Sequence, residues 1–251
     1  MRLILAGCEY TGGSTMARAI AEWMLRELSA DGVRIHDHWV YPYIADQDPA
    51  TCYVVGPDGI IPEEWRYGHL GEYDGAKLTE EWASDVRALK PWLLEQLQRI
   101  MVWRHMHHTV IAEEWDSIQV GLHYAEAVYA PLYYGYGEPG SFADRRRRAR
   151  EWDRSLLEFA PETVLVLLRA TPQAIHDRMR AAPRPDRVPR EEDIEKVIDL
   201  FEEQYAESEL NHKLAIETSG VTVEQSVAEF ARKVQPFLTE EDRRRMDGSV
   251  G

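Results

Sequence analysis

The run Thr163-Val164-Leu165-Val166-Leu167-Leu168 constrains the fold of this chain more than any other stretch. Beyond its threonine it offers no polar side chain to water on either of the two faces of a strand. It is also too short to be one of the helices of a globular domain, so it reads as a strand covered on both sides, the environment of a parallel sheet. Four shorter apolar runs fit the same reading, at residues 3–6, 33–36, 109–112 and 213–217. Between and after them lie stretches of helical periodicity. The first, Thr15 to Ser29, repeats Ile20, Trp23, Met24 and Leu28 on one face; others span about 79–106 with a break at Pro91, then 117–133, 142–159, 172–180, 191–207 and 222–237. Strands alternating with helices predict an α/β fold, an open parallel five-stranded sheet with helices on both faces. Ligands of such sheets bind beyond the carboxyl ends of the strands, so the residues just after each strand are the candidates for function.

A chain of 251 residues fits one domain, placed at residues 1–238. An arm at about 42–78, rich in Pro, Gly, Tyr and Asp, and a Pro-rich segment at about 182–190 project from it, and residues 239–251 read as a frayed charged tail. The 44 acidic residues against 29 Lys and Arg give a net charge of −15. That excess repels phosphate backbones and anionic lipid, which argues against nucleic-acid and membrane partners and requires any anionic small molecule to be met by cations gathered locally. Two cysteines, Cys8 and Cys52, frame no disulfide scaffold. Leu5-Ala6-Gly7-Cys8 spells a lipoprotein-type cleavage box, but the apolar stretch after Arg2 is far shorter than the ~7–15 residues such a signal needs. No run approaches the ~18 apolar residues of a membrane span, so the expected location is cytoplasmic. Eight tryptophans leave room for an aromatic interface between two copies, a homodimer.

The strongest motif is Gly7-Cys8-Glu9-Tyr10-Thr11-Gly12-Gly13-Ser14-Thr15, which has the spacing of a P-loop. Glycines let successive backbone N–H groups aim inward, and the helix beginning near Thr15 adds the positive end of its dipole, so phosphate oxygens can be held without a charged side chain. Ser14 is placed to offer its hydroxyl to Mg²⁺. The lysine that ordinarily neutralises the outer phosphates is absent, and Gly13 stands in its place.

With this loop after the first strand, the whole chain resembles the P-loop kinases of the nucleoside monophosphate kinase, thymidylate kinase and deoxynucleoside kinase group. The layout is similar over about residues 1–236: an acidic residue after the second strand, substrate residues after the third, and an arginine-bearing lid between the fourth and fifth. The resemblance implies strand order 2-3-1-4-5, phosphoryl transfer from ATP, and Mg²⁺. It makes Asp37, in His36-Asp37-His38-Trp39, the group that accepts the proton of the attacking hydroxyl, and Arg178 the residue that stacks on adenine. Thr218, Ser219 and Gly220 would close the other side of the base.

Other candidates come from residue chemistry. Glu113 and Glu114 follow the expected third strand, where an acid can hold Mg²⁺ through water. His38, Trp39, Tyr124 and Tyr134 carry flat faces and polar tips suited to a ring-bearing acceptor. Arg145-Arg146-Arg147-Arg148 with Arg150 reads as a solvated helix face. Arg184, Arg187 and Arg190 sit among Pro183, Pro185 and Pro189, where always-charged guanidinium groups could replace the missing lysine. The expected activity is transfer of a phosphoryl group from ATP to a nucleoside, nucleotide or similar small polar acceptor. Two alternatives stay open: a nucleotide-binding regulatory module without catalysis, and a sulfotransferase-like use of a phosphosulfate donor, since related loops there also lack the lysine.

Overall fold

The computed structural model describes residues 1–37, 52–62, 84–86, 88–106, 116–184 and 187–248. The chain runs β1 (Arg2–Ala6), α1 (Gly13–Glu27), β2 (Val33–His36), β3 (Cys52–Gly56), β4 (Gly59–Pro62), α2 (Pro91–Met106), β5 (Asp116–Val120) and α3 (Leu122–Tyr129). It continues through α4 (Arg145–Phe159), β6 (Val164–Arg169), α5 (Pro172–Ala181), α6 (Ile194–Glu207), β7 (His212–Glu217), α7 (Val223–Val234) and α8 (Glu240–Met246). A π-helical turn, Ala130–Tyr134, prolongs α3.

The two faces of the central strands explain the layering. Leu3 and Leu5 of β1, with Val164, Val166 and Leu168 of β6, enter one buried cluster with Ile20, Met24 and Phe230 of α1 and α7. Ile4 and Ala6, with Leu165 and Leu167, enter the other, against Tyr124, Val128, Ile175 and Phe201 of α3, α5 and α6. Each such side chain contributes about 1.5–3 kcal/mol by leaving water, so a strand apolar on both sides holds only between two helical layers. Trp23 and Phe230 meet edge to face at 5.3 Å and lock α1 to α7.

The sheet order is β4-β3-β2-β5-β1-β6-β7. Strands β2, β5, β1, β6 and β7 pair in parallel in that sequence, which is the order implied by the resemblance. Among the described residues the sheet nevertheless has seven strands and is mixed, because β3 and β4 form a hairpin that adds antiparallel to the edge of β2. This corrects the five-stranded expectation and places a hairpin within the stretch expected to form an arm. The strand-forming Tyr53-Val54-Val55 and Ile60-Ile61 lie inside a stretch whose composition is dominated by turn formers, and the turn at Pro57-Asp58 joins them.

The third parallel strand is also displaced. It is Asp116–Val120, not residues 109–112, and helix begins only after Gly121. A strand with the sequence DSIQV shows little apolar signal, since it is held by ladders on both edges and buries Ile118 fully. Residues 107–115 lie outside the described residues.

Two charge readings change as well. Arg145 is fully buried rather than solvated: its guanidinium pairs with Glu95 of α2 and Glu126 of α3, each at 2.9 Å, and Tyr136 donates to the same Glu126 oxygen at 2.8 Å. Burial pushes the Glu126 carboxyl up, against the opposing pull of Arg145. Its neighbours behave as expected, Arg148 with Glu151 at 2.6 Å and Arg146 with Glu207 across to α6. Over residues 239–248 the expected frayed tail is ordered. Thr239 caps α8 in a capping box with Asp242, and Arg245 grips Asp116 of β5 with bonds of 2.7 and 3.0 Å and Asp242 at 2.8 Å. Among the described residues no helix is long and apolar enough to cross a membrane.

Burial pushes the Asp116 carboxyl up, but Arg245 and the Met1 amino group outweigh it, so the carboxyl sits below its ordinary range. The stabilisation is therefore complete above the ordinary carboxylate pKa of about 4 and is lost as pH falls through the lower folded value. Asp116→Asn should cost about 3 kcal/mol at pH 7 in urea denaturation, and the gap from the parent protein should narrow toward pH 2. An unchanged gap there would show that this carboxylate is not the source.

Candidate functional site

The loop after β1 closes by a turn in which the Thr11 N–H and hydroxyl both donate to the Cys8 carbonyl, at 3.1 and 2.7 Å. Gly7 is required by contact: a Cβ there would lie 2.7 Å from the Leu168 carbonyl oxygen of β6 and 2.9 Å from the Thr11 hydroxyl. Gly12 is required by conformation, with φ at 97°, the left-handed region that lets the chain turn into α1. Tyr10 also takes a left-handed φ of 65°.

The loop's carbonyls are held from behind. Arg178 of α5 donates to the Tyr10 carbonyl at 2.8 Å and also to the Thr218 carbonyl. The Thr218 hydroxyl contacts the Thr11 carbonyl at 2.8 Å and the Arg169 carbonyl at 2.9 Å. Across a planar trans peptide the C=O and the following N–H point opposite ways, so tying back Thr11 turns the Gly12 N–H toward the mouth. There α1 begins with no side-chain cap and no acid in its first turn, and its ladder opens only at Met16 bonding to Gly12. The N–H groups of Gly13, Ser14 and Thr15 are thus left for an anion. Ser14 and Thr15 are exposed at the head of a groove of about 360 Å³, shared with Arg18, Ala19, Glu22 and Val223. Ser14 is the one expected Mg²⁺ ligand among the described residues. Glu113 and Glu114 lie outside them, and because β5 starts at Asp116 they precede that strand rather than follow it.

Cys8 is buried and burial pushes its thiol far above the reactive range, so it packs rather than reacts. Gly13 is closely approached: a Cβ at that position would stand 3.0 Å from Cγ1 of Val120, the last residue of β5, and fit only if that side chain shifted.

Asp37 follows β2 as expected. It lies near Arg18 of α1, whose Nε donates to the Tyr53 hydroxyl at 3.0 Å with the guanidinium 5.2 Å from the ring centre. The bond to Tyr53, supplemented by the charge of Asp37, raises the Arg18 pKa. Arg18 and Tyr53 carry no sequence signal beyond Arg18 standing four residues after Ser14, on the same helix face.

A second space opens beside the ends of β2 and β5. His36, Gln98, His105 and Gln119 line it together with Met101 and Leu122, around a cavity of about 20 Å³, room for roughly one water. The His105 Nδ1 contacts the Met101 carbonyl at 2.8 Å and therefore carries the hydrogen, and the two imidazoles meet edge to face at 5.1 Å. Sequence reasoning missed this group, because a buried glutamine on a helix has no pattern to reveal it. Of the residues it selected for the acceptor, Tyr124 and Tyr134 lie elsewhere. His38 and Trp39 are outside the described residues. Tyr124 is fully buried, its hydroxyl donating to Asp153 at 2.7 Å beside Ser208, where His123 also bonds Asp153. Tyr134 packs against the cluster of Leu94, Ala130 and Tyr136.

Of the lid arginines only Arg184 reaches the loop, pairing with Glu9. Arg187 pairs with Glu191 at 3.0 Å, and Arg190 lies 5.6 Å from the centre of the Tyr133 ring. Ser219 accepts the Thr171 N–H at 2.7 Å and so ties the loop after β7 to the start of α5.

No family model matches the chain, and no curated protein is similar to it in sequence. Solved structures are similar in fold. The YorR protein of Bacillus subtilis, in complex with phosphorylated GDP, aligns at a TM-score of 0.50 and 15% identity, over 96% of this chain and 100% of that one. The deoxyadenosine kinase of M. mycoides with bound dCTP aligns at 0.50 and 12%, over 94% and 100%. At such identities the likeness shows the fold alone, an α/β fold that this chain shares with the YorR protein and the deoxyadenosine kinase.

Proposed function

We propose that the chain is a P-loop phosphotransferase that moves the terminal phosphoryl group of ATP to a nucleoside, nucleotide or similar small polar acceptor. The observation that carries this reading is the amide-lined corner from Gly7 to Thr15, tied back by Arg178 and Thr218 and opening onto the uncapped start of α1. The triphosphate would lie on those amides. Arg178 binds the loop through the edge of its guanidinium, which is compatible with a base stacked on its plane. Mg²⁺ held at Ser14 would neutralise charge between the outer phosphates. Asp37 would orient the acceptor hydroxyl and take its proton. Arg184 is the cation best placed to meet the transferring group.

Gly13 in place of lysine favours one second reading, a nucleotide-binding module without turnover. Incubation with Mg-ATP and a panel of nucleosides, nucleotides and sugars decides between them. A phosphorylated acceptor supports transfer; ATP binding with no product supports the module; tight binding of an adenosine bisphosphate in preference to ATP points to sulfuryl chemistry.

Two variants sharpen the assignment. Asp37→Asn should lower turnover by about 10²–10⁴-fold with nucleotide affinity unchanged; retained turnover would remove Asp37 from the chemistry. Gly13→Lys alone is crowded by Val120, so the gain in affinity should come with Gly13→Lys plus Val120→Ala, about tenfold for Mg-ATP in titration calorimetry. No gain in the double variant would mean that the loop does not present phosphates toward position 13.

A further inference from the structure

Glu9 is the only charged residue between Gly7 and Thr15, and its side chain is only 21% exposed. It faces the lid. Its Oε2 pairs with Nη2 of Arg184, and its Oε1 accepts the Val188 N–H at 3.2 Å. Tyr10 continues the contact: its hydroxyl donates to the Ala182 carbonyl at 3.2 Å, and the Arg184 guanidinium lies 4.9 Å from its ring centre. The Glu9 N–H donates to the Tyr129 hydroxyl at 3.0 Å, which fixes this part of the loop to α3. Ala182, Arg184 and Val188 therefore converge on two consecutive residues of the phosphate loop. Gly13 supplies no rival cation within that loop.

A carboxylate and a phosphate make the same demand on a guanidinium, two oxygens for two parallel N–H groups. We propose that Glu9 is an internal stand-in for a nucleotide phosphate, holding Arg184 and the lid against the loop until a polyphosphate takes the guanidinium over. The proposal rests on the nucleotide-binding reading above and adds to it a coupling between lid and ligand. An incoming nucleotide must open the Glu9 contacts before it can use Arg184, so its apparent affinity is lowered by the fraction of molecules still latched. Once released, the Glu9 carboxylate stands close to the phosphates and repels them, which disfavours a bare triphosphate relative to one complexed with Mg²⁺.

Amide hydrogen exchange at Val188 and calorimetric titration with Mg-ATP test this on the full chain. Glu9→Gln keeps the shape and removes the charge. Its Val188 amide should exchange about tenfold faster without nucleotide, and it should bind Mg-ATP about five- to tenfold more tightly than the parent protein. Arg184→Gln should speed the same amide but weaken Mg-ATP, because the nucleotide loses the cation it recruits. Unchanged Val188 exchange in Glu9→Gln overturns the latch while leaving nucleotide binding intact. Faster exchange with equal or weaker Mg-ATP binding also overturns it, since the carboxylate would then anchor the lid without competing with phosphate. Failure of all three proteins to bind Mg-ATP is a different result: it overturns the nucleotide reading, and the proposed exchange of partners with it.

Discussion

A single missing Cβ, at Gly7, lets the loop after β1 lie against the end of β6. Any side chain there would collide with the Leu168 carbonyl at 2.7 Å, and the loop would have to lift away from the sheet. Its close seat is what allows Thr218, itself bonded to Arg169 at the end of β6, to reach Thr11 on one side, and Arg178 to reach Tyr10 on the other. The site's backbone geometry thus depends on the parallel packing of β1, β6 and β7. The loop is rigid because it is bonded to the scaffold through its carbonyls, which leaves the amides at its mouth for a ligand.

Charge is distributed around this corner in an unusual way. The position that would carry a cation is glycine, and Val120 crowds it. The loop instead carries an acid, and the compensating cation comes from the lid, about 175 residues along the chain. A loop whose own side chains carry only a negative charge, with the positive charge on a separate segment, would hold an anion strongly only with that segment in place. Arg18 adds a second cation near Asp37, held by Tyr53 of the edge hairpin, so the added strands also contribute to the site's electrostatics.

The parts of this arrangement that were legible in the sequence are those that a backbone imposes on residue type. Val164–Leu168 could be read as a doubly covered strand because both faces must be apolar, and Gly7 and Gly12 could be read as a loop because contact and conformation demand them. The parallel strand order followed from the resemblance. Strand β5 was not legible, because a strand paired on both edges can tolerate Asp, Ser and Gln where ladders rather than apolar runs hold it. The β3–β4 hairpin was masked by turn formers around it. Arg145 and Tyr124 were misplaced for one reason: a polar residue pattern does not tell a solvated face from an interior one when Glu95, Glu126 and Asp153 arrive from other helices to satisfy it. The same limit hid Glu9, which in sequence is one more acid in an acidic chain.

The grip of Arg245 on Asp116 spans 129 residues. The middle of the sheet therefore waits for this partner until the chain through Arg245 has been made. Strand β1 likewise needs β5 and β6 on its flanks before either edge is filled. A nascent chain of this topology exposes apolar, half-paired strands during synthesis, and release or truncation before Arg245 leaves the buried acid of β5 with the Met1 amino group but without its guanidinium.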